Sequence, residues 1–263
     1  MEDERFPREF VPKANPHYHR EREIFGSREV AEFVQVKFHR STWFLENPRG
    51  EFLDPDQKLV VNTMENDRYL IGRTPEDEFE RFEKLDGIAN VAFPGDRMTY
   101  ESMGTREILK EIEQSVKGQL ATRRMVEEAN LDLALFPTIV AWKPWHYERQ
   151  RVLFEEFDTR CCGFDGTQYN SITDLVTDLE NLVDTLNPDR IYLNGRISRD
   201  HLRRVPKEVV AFSGKHTLLK EARLPDGDHS QGLLLKGIDE RIKAMKNWQA
   251  ELSDFYPEQV AGD

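Results

Sequence analysis

Short apolar runs alternate with amphipathic helical stretches along most of the chain, and that rhythm constrains the fold more than any other feature. The runs are Leu59-Val60-Val61, Ile88 to Phe93, Leu133 to Trp142, Cys161 to Phe164, Ile191-Tyr192-Leu193 and Val209 to Phe212. Each is short and nearly unbroken, the pattern of a strand buried on both faces. Val34, Val36 and Phe38 alternate before them and predict one more short strand, closed by the turn Asn47-Pro48-Arg49-Gly50.

The intervening stretches read as helices. Thr74 and Pro75 suit the N-cap and first position of a helix that carries Phe79, Phe82 and Leu85 and stops at Gly87. Ile108, Leu109, Ile112, Val116 and Leu120 predict a long helix. Pro144 opens another, with Tyr147, Val152, Leu153 and Phe157. The clearest stripe is Ile172, Leu175, Val176, Leu179, Leu182, Val183 and Leu186, preceded by Ser171 as N-cap and ended by Asn187-Pro188. A short helix is expected from Ser198 to Val205. Asp228 to Phe255 reads as a final helix with Leu234, Ile238, Ile242, Met245, Trp248 and Leu252 on one face.

Strand and helix in strict alternation predict an α/β fold with a parallel sheet. Two closures are open: a (β/α) barrel and a doubly wound sheet. The length, 263 residues, suits a barrel of about 250. Neither G-x-G-x-x-G nor G-x-x-x-x-G-K-[ST] follows a strand, which weakens the nucleotide-binding open sheets. The expectation is therefore a TIM-like barrel, irregular or incomplete on its N-terminal side. Residues 1–29 are polar, with Pro7, Pro12 and Pro16, and read as an arm. Residues 30–227 form the barrel, and residues 228–263 a C-terminal helix packed on it.

Charge and composition exclude several classes. The 49 acidic residues against 37 Lys and Arg give a net charge of −12, which disfavours a broad nucleic-acid-binding surface but leaves room for a local basic groove. No apolar stretch reaches the ~18 residues of a membrane helix, and the charged N-terminus lacks a secretory-signal pattern. Adjacent Cys161 and Cys162 form neither a disulfide framework nor a zinc site and fit a reducing cytoplasm. His17, His19 and His39 lack carboxylate or cysteine partners at ligand spacing, so neither a metal nor another cofactor is expected.

In a parallel α/β fold, functional residues gather after the C-terminal ends of strands. That rule selects Asn62 and Thr63, then Gly95, Asp96 and Arg97. Trp142, Lys143, Trp145 and His146 follow the third run, and Asp165, Thr167, Gln168 and Tyr169 the fourth. Asn194, Gly195 and Arg196, then Ser213, Gly214, Lys215 and His216, complete the rim. Asp96 and Asp165 are the candidate catalytic carboxylates, with turn capping as the alternative for each. Trp142 and Trp145 could stack a flat ring or seal the core. Gln168, Asn194 and Lys143 offer polar contacts, Arg196 and Lys215 could hold a phosphate, with a surface salt bridge as the alternative for Arg196, and His216 beside Lys215 is a further candidate binding residue, with a structural histidine as its alternative.

The order of these segments resembles the tRNA-guanine transglycosylase superfamily, in particular its viral and archaeal DNA-modifying branch. The resemblance spans roughly Leu59 to Phe212. Phe93-Pro94-Gly95-Asp96 is similar to that family's Pro-Asp strand end. Val140 to Tyr147 is similar in placement to its strand ending in Gln-Gly. Cys162-Gly163-Phe164-Asp165-Gly166 falls where its base-receiving glycine loop lies, and Tyr192-Leu193-Asn194-Gly195-Arg196 matches the next strand. The resemblance implies a TIM barrel that handles a nucleobase or nucleic acid, with base exchange as the reaction. The family's two aspartates fall near Asn62 and Ser213 here, and its zinc cysteines are missing. Any chemistry would then rest on Asp96 and Asp165. Three readings result: a base- or nucleic-acid-binding, transglycosylase-like barrel; a scaffold that binds partner proteins; and a hydrolase using the two aspartates.

Overall fold

A computed structural model describes residues 2–100, 102–195, 198–225 and 227–255. The strands are β1 (Glu9–Ala14), β2 (Phe33–Lys37), β3 (Lys58–Asn62), β4 (Val91–Phe93), β5 (Ala134–Leu135), β6 (Thr138–Ile139), β7 (Cys161–Asp165), β8 (Arg190–Asn194) and β9 (Val209–Gly214). The helices are α1 (His19–Phe25), α2 (Trp43–Glu46), α3 (Pro75–Lys84), α4 (Thr105–Glu128), α5 (Pro144–Glu148), α6 (Arg151–Glu156), α7 (Ile172–Leu186), α8 (Arg199–Leu202), α9 (His216–Glu221) and α10 (Gln231–Phe255).

All strands lie in one parallel sheet, in the order β5-β4-β3-β2-β1-β9-β8-β7-β6. The two end strands are consecutive in the chain and are separated only by Phe136 and Pro137. Phe136 N donates to Ala92 O at 3.1 Å, and Gly163 N donates to Pro137 O at 2.8 Å. The curled sheet thus meets itself in one bent segment, giving a TIM-like barrel interrupted at Pro137. Proline carries no N–H for a ladder, so the break falls there.

Two glutamines repair the interruption. Thr138 N donates to Gln119 Oε1 at 2.8 Å, and Gln119 Nε2 returns a bond to Thr138 O at 2.9 Å. Gln150 does the same for Val140, at 3.0 and 2.7 Å. Buried peptide groups without strand partners are thereby satisfied by glutamine side chains, one on α4 and one at the junction of α5 and α6.

Period-2 alternation divides the strand residues between two cores. Val11, Phe33, Val60, Val91, Phe93, Ala134, Phe136, Cys161, Tyr192 and Ala211 form the inner one, with Phe6 packed among them. Phe93 stacks on Tyr192 with ring centroids 4.8 Å apart. The outer core joins the opposite strand faces to the helices: Val34, Val36, Leu59, Val61, Cys162, Phe164 and Leu193 meet Phe82, Leu179, Leu182 and Leu186. The adjacent cysteines serve different cores; both are buried and neither is in a disulfide.

The stripe on α7 is buried as its spacing predicts, at Leu175, Leu179, Leu182 and Leu186. Ser171 Oγ accepts from Asp174 N, and Asn187 closes the helix in the left-handed conformation. Thr74 and Asp77 form a full capping box on α3. Along α10, Leu234, Ile238 and Met245 enter the outer core; the side chains of Trp248 and Leu252 lie outside those described.

Three expectations are corrected. Residues 1–29 are not an arm, because β1 sits in the middle of the sheet, hydrogen-bonded between β2 and β9. Its apolar signal is only Phe10 and Val11, cut short by Pro12, too brief for a periodicity test. The stretch 133–142 is not one strand but two short ones about Pro137. The expected helix from Pro144 to Phe157 is two, α5 and α6, separated near Gln150, whose side chain is committed to Val140. Among the described residues no helix is long and apolar enough to cross a membrane.

Candidate functional site

The inner face changes character along the strands. Towards the C-terminal ends, the apolar inward positions give way to polar ones. Val11 is followed at i+2 by Lys13, Phe33 by Gln35 and then Lys37, and Val60 by Asn62. Cys161 leads through Gly163 to Asp165, Tyr192 to Asn194, and Ala211 to Ser213. A polar floor therefore lies across the C-terminal mouth, on top of an apolar plug.

Asn194 is the hub of that floor. Its Oδ1 accepts from Lys13 Nζ at 3.0 Å, Ser213 Oγ at 3.0 Å and Gln35 Nε2 at 3.4 Å. Its Nδ2 donates to Asp165 Oδ1 at 2.8 Å. Tyr192 OH in turn donates to Gln35 Oε1. Asp165 also accepts from Thr167 N at 3.1 Å and Thr167 Oγ1 at 2.9 Å. Gly195, just beyond, has φ +88°, and a Cβ there would meet Thr167 Cγ2 at 2.6 Å. Only glycine fits this turn without displacing Thr167.

A cavity of about 510 Å³ opens beside this floor. Asp96, Asp165, Trp142, Gln168, Tyr100 and Tyr169 are in its wall, with Ser102, Asn170, Asp174 and Asp178. Tyr169 OH is fixed by a bond to Asp178 Oδ2 at 2.8 Å. Ala141, also in the wall, has φ +72°. A non-glycine residue held in that region carries local strain, and it precedes Trp142 directly.

Asp96 is placed by its neighbours. Its Oδ2 accepts from Glu65 N at 3.1 Å, and its own N–H donates to Thr63 Oγ1 at 3.2 Å. Gly95 before it has φ +73°, and a Cβ there would collide with Gln119 Cγ at 2.2 Å. Burial, reinforced by the charge of Asp165, holds the Asp96 carboxyl well above the usual carboxylate range. That shift favours the protonated form relative to a solvated carboxylate.

Behind Asp96 lies a buried ionic cluster. Arg73 donates to Glu65 at 3.1 Å and to Thr63 O at 2.9 Å, and its Nε pairs with Glu78 at 3.2 Å. Glu65 also holds His39 Nδ1 at 2.6 Å, and the His39 ring stacks on Tyr69. Burial pushes the Glu78 carboxyl up. These groups are saturated by one another and brace the β3 and β4 ends.

On the other side of the floor, three lysines converge. Lys13 and Lys37 project from β1 and β2, and Lys215 follows β9 directly. Burial lowers the Lys13 ammonium to about 8, helped by Lys37 and Lys215 and opposed by Asp165 and Glu65. Burial lowers Lys37 and Lys215 as well. Lys215 is bound by Glu21 of α1.

No protein-family model matches the chain, and no curated protein matches it. The residues themselves carry the argument.

The structure brings Asp96, Asp165, Trp142 and Gln168 into one cavity wall and places Asn194 beside it. Trp145 is not in that wall; it is 39% exposed and packs edgewise on His146. Lys143 is exposed at the start of α5, and His216 is exposed at the start of α9. Lys215 reaches the mouth but is engaged by Glu21. Arg196 lies outside the described residues. His146 accepts from Lys143 N at 3.1 Å through Nδ1, a helix-capping role. Among the described residues no group of three or more His, Cys, Asp or Glu is placed to hold a metal ion.

Lys13 belongs to a strand whose apolar signal is too short to read, and Gln35 and Lys37 lie between the alternating Val34, Val36 and Phe38, before the point where the strand-end rule begins to pick residues. The signal was present in the sequence: an apolar residue followed at i+2 by a polar one, repeated from strand to strand.

Proposed function

We propose that the protein is an enzyme that binds a nucleobase, or a nucleoside bearing it, in its barrel mouth, and that Asp96 and Asp165 act on the N-glycosidic bond. The observation that carries this reading is the meeting of Asp96, Asp165 and Trp142 in the wall of one cavity. The indole offers a stacking face for a flat heterocycle. Gln168, Asn170 and Ser102 offer donors and acceptors for its edge. Asp174 and Asp178 make the wall strongly acidic, which favours a ring rich in N–H donors and disfavours a polyphosphate backbone inside the cavity. A base within nucleic acid would therefore enter extruded from its stack.

The two carboxyls divide the work. Asp96 gives its proton to the ring nitrogen as the bond to C1′ breaks, and the bonding electrons leave with the base. Asp165 faces C1′ and stabilises or bonds to the electron-poor sugar until water or an incoming base takes its place. The transglycosylase likeness bears on the barrel more than on the reaction, because the family's aspartate positions are Asn62 and Ser213 here, and the chemistry rests on Asp96 and Asp165 in altered roles. A protein-binding scaffold has no use for such a cavity, which is what favours the binding reading. Two buried cysteines outside any disulfide suit a reducing cytoplasm.

Titration calorimetry with free bases and nucleosides tests the proposal. One base class is expected to bind, and Asp165→Asn to weaken binding by at least about tenfold, the scale of one charged hydrogen bond, with little change in Tm. Absence of binding across the panel overturns the proposal. A large stability loss in Asp165→Asn without any ligand effect assigns Asp165 to turn capping instead.

A further inference from the structure

We propose that Lys13, Lys37 and Lys215 form a phosphate subsite in the barrel mouth, across Asn194 from this cavity, so that the preferred ligand is a nucleoside monophosphate. The inference rests on the base-binding reading and extends it to the other end of the ligand.

The three lysines come from neighbouring positions in the sheet, where β9, β1 and β2 lie side by side. Lys13 pairs in register with Gln35, so Lys37 stands one inward position further along the adjacent strand. On the other side the ladder ends at Pro12 and Gly214, one step before Lys13 and Lys215. Three ammonium groups thus share one sector of the mouth: Lys13 feels the charges of Lys37 and Lys215, and Lys215 feels that of Lys37.

Two of the three lack a carboxylate in direct contact among the described residues. Lys13 bonds the neutral amide oxygen of Asn194, and Lys37 reaches the amide oxygen of Asn66 at 3.5 Å. Among the described residues, Lys215 alone of the three has a carboxylate in direct contact, Glu21. Glu65, the acid nearest in effect to Lys37, is already held by His39 and Arg73. Crowded, desolvated cations with amide partners are costly unless an anion joins them.

The mouth is therefore polarised. Carboxylates and the Trp142 indole lie over β4, β6 and β7, and ammonium groups lie over β9, β1 and β2. Asn194 joins the halves, bonding Lys13 through Oδ1 and Asp165 through Nδ2. A ligand matching both halves has a donor-rich flat ring at one end and a compact dianion at the other. A phosphate ester, with three acceptor oxygens, can use several ammonium donors at once.

The test compares a nucleoside with its 5′-monophosphate by calorimetry, using the base class that binds wild-type protein. The monophosphate is expected to bind at least about tenfold tighter. That gain should shrink as salt is raised and should vanish in Lys37→Met and Lys13→Met, while nucleoside affinity stays within about twofold in Lys37→Met. Lys37 is partly exposed, so its variant preserves the fold if Lys13→Met does not. A nucleoside that binds as tightly as its monophosphate overturns the subsite and leaves the base site standing. Failure of both to bind overturns the two proposals together. A gain that survives in Lys37→Met also overturns the lysine assignment.

Discussion

Asn194 donates its side-chain N–H to Asp165 Oδ1 at 2.8 Å, and this bond crosses from β8 to β7 at paired positions of the ladder. It fixes the carboxylate against the floor of the mouth. The other end of the same amide accepts from Lys13, Ser213 and Gln35. A single side chain therefore orients the candidate catalytic carboxylate and the lysine sector together.

Asn194→Ala removes that link and leaves several buried polar groups without partners. Each such group costs about 1–3 kcal/mol. The expected result is a stability loss of about 2–4 kcal/mol, with ligand affinity reduced by at least about tenfold. Urea unfolding and calorimetry on one preparation measure both. Unchanged affinity at reduced stability would confine Asn194 to a structural role.

His146 gives a pH signature. Burial, with the charge of Lys143, lowers its imidazole to about 4. Its Nδ1 accepts from Lys143 N and Trp142 N, which requires the neutral ring. The unfolded chain takes up the proton first, near pH 6.5. This contribution to stability is thus fully present above about pH 6.5 and is lost as pH falls towards 4. Urea midpoints at pH 7 and pH 4.5 should show wild type losing more stability than His146→Gln. Equal losses would remove His146 from the acid response.

The fold was largely legible because burial on both faces leaves a nearly unbroken apolar run, and the amphipathic stripe of α7 is hard to read otherwise. β1 was illegible because two apolar residues before a proline carry no period. The split at Pro137 was hidden because a bent segment keeps its apolar composition while losing its ladder. In the site, Asp96, Asp165 and Trp142 could be found from strand ends alone. Lys13 could not, since it belongs to the strand that was not recognised. Trp145 shows the opposite limit: only two residues separate it from Trp142, yet the start of α5 turns it to solvent.

Gly163 sits inside the barrel, where a Cβ would lie 2.5 Å from Met64 Cε and 2.7 Å from Phe93 Cδ1. Met64 and Phe93 are both fully packed. Gly163→Ala therefore overfills the plug beneath Asp165 and should cost about 1–3 kcal/mol. Chemical denaturation measures the loss. Phe93 bears on Tyr192, whose hydroxyl meets Gln35, so the strain is expected to reach the mouth and weaken ligand binding as well. Wild-type stability in Gly163→Ala would show that the inner core yields more readily than its packing implies.

Gln119 is the last link between a helix and the chemistry. It satisfies both backbone groups of Thr138, and its Nε2 also donates to Ser115 Oγ at 3.0 Å. Ser115 Oγ in turn donates to Gly95 O at 2.7 Å, immediately before Asp96. Replacement by leucine keeps the volume but leaves the Thr138 N–H and C=O unpaired in an apolar gap, at about 1–3 kcal/mol for each group. Gln119→Leu is expected to lose about 2–5 kcal/mol and to speed hydrogen exchange at the Thr138 amide. Gln119→Glu retains the acceptor for Thr138 N but removes the donor to Thr138 O, so it should protect that amide while still losing stability. If the amide exchanges alike in both variants, the interruption at Pro137 is held by something other than this side chain, and the path from α4 through Ser115 and Gly95 to Asp96 loses its anchor.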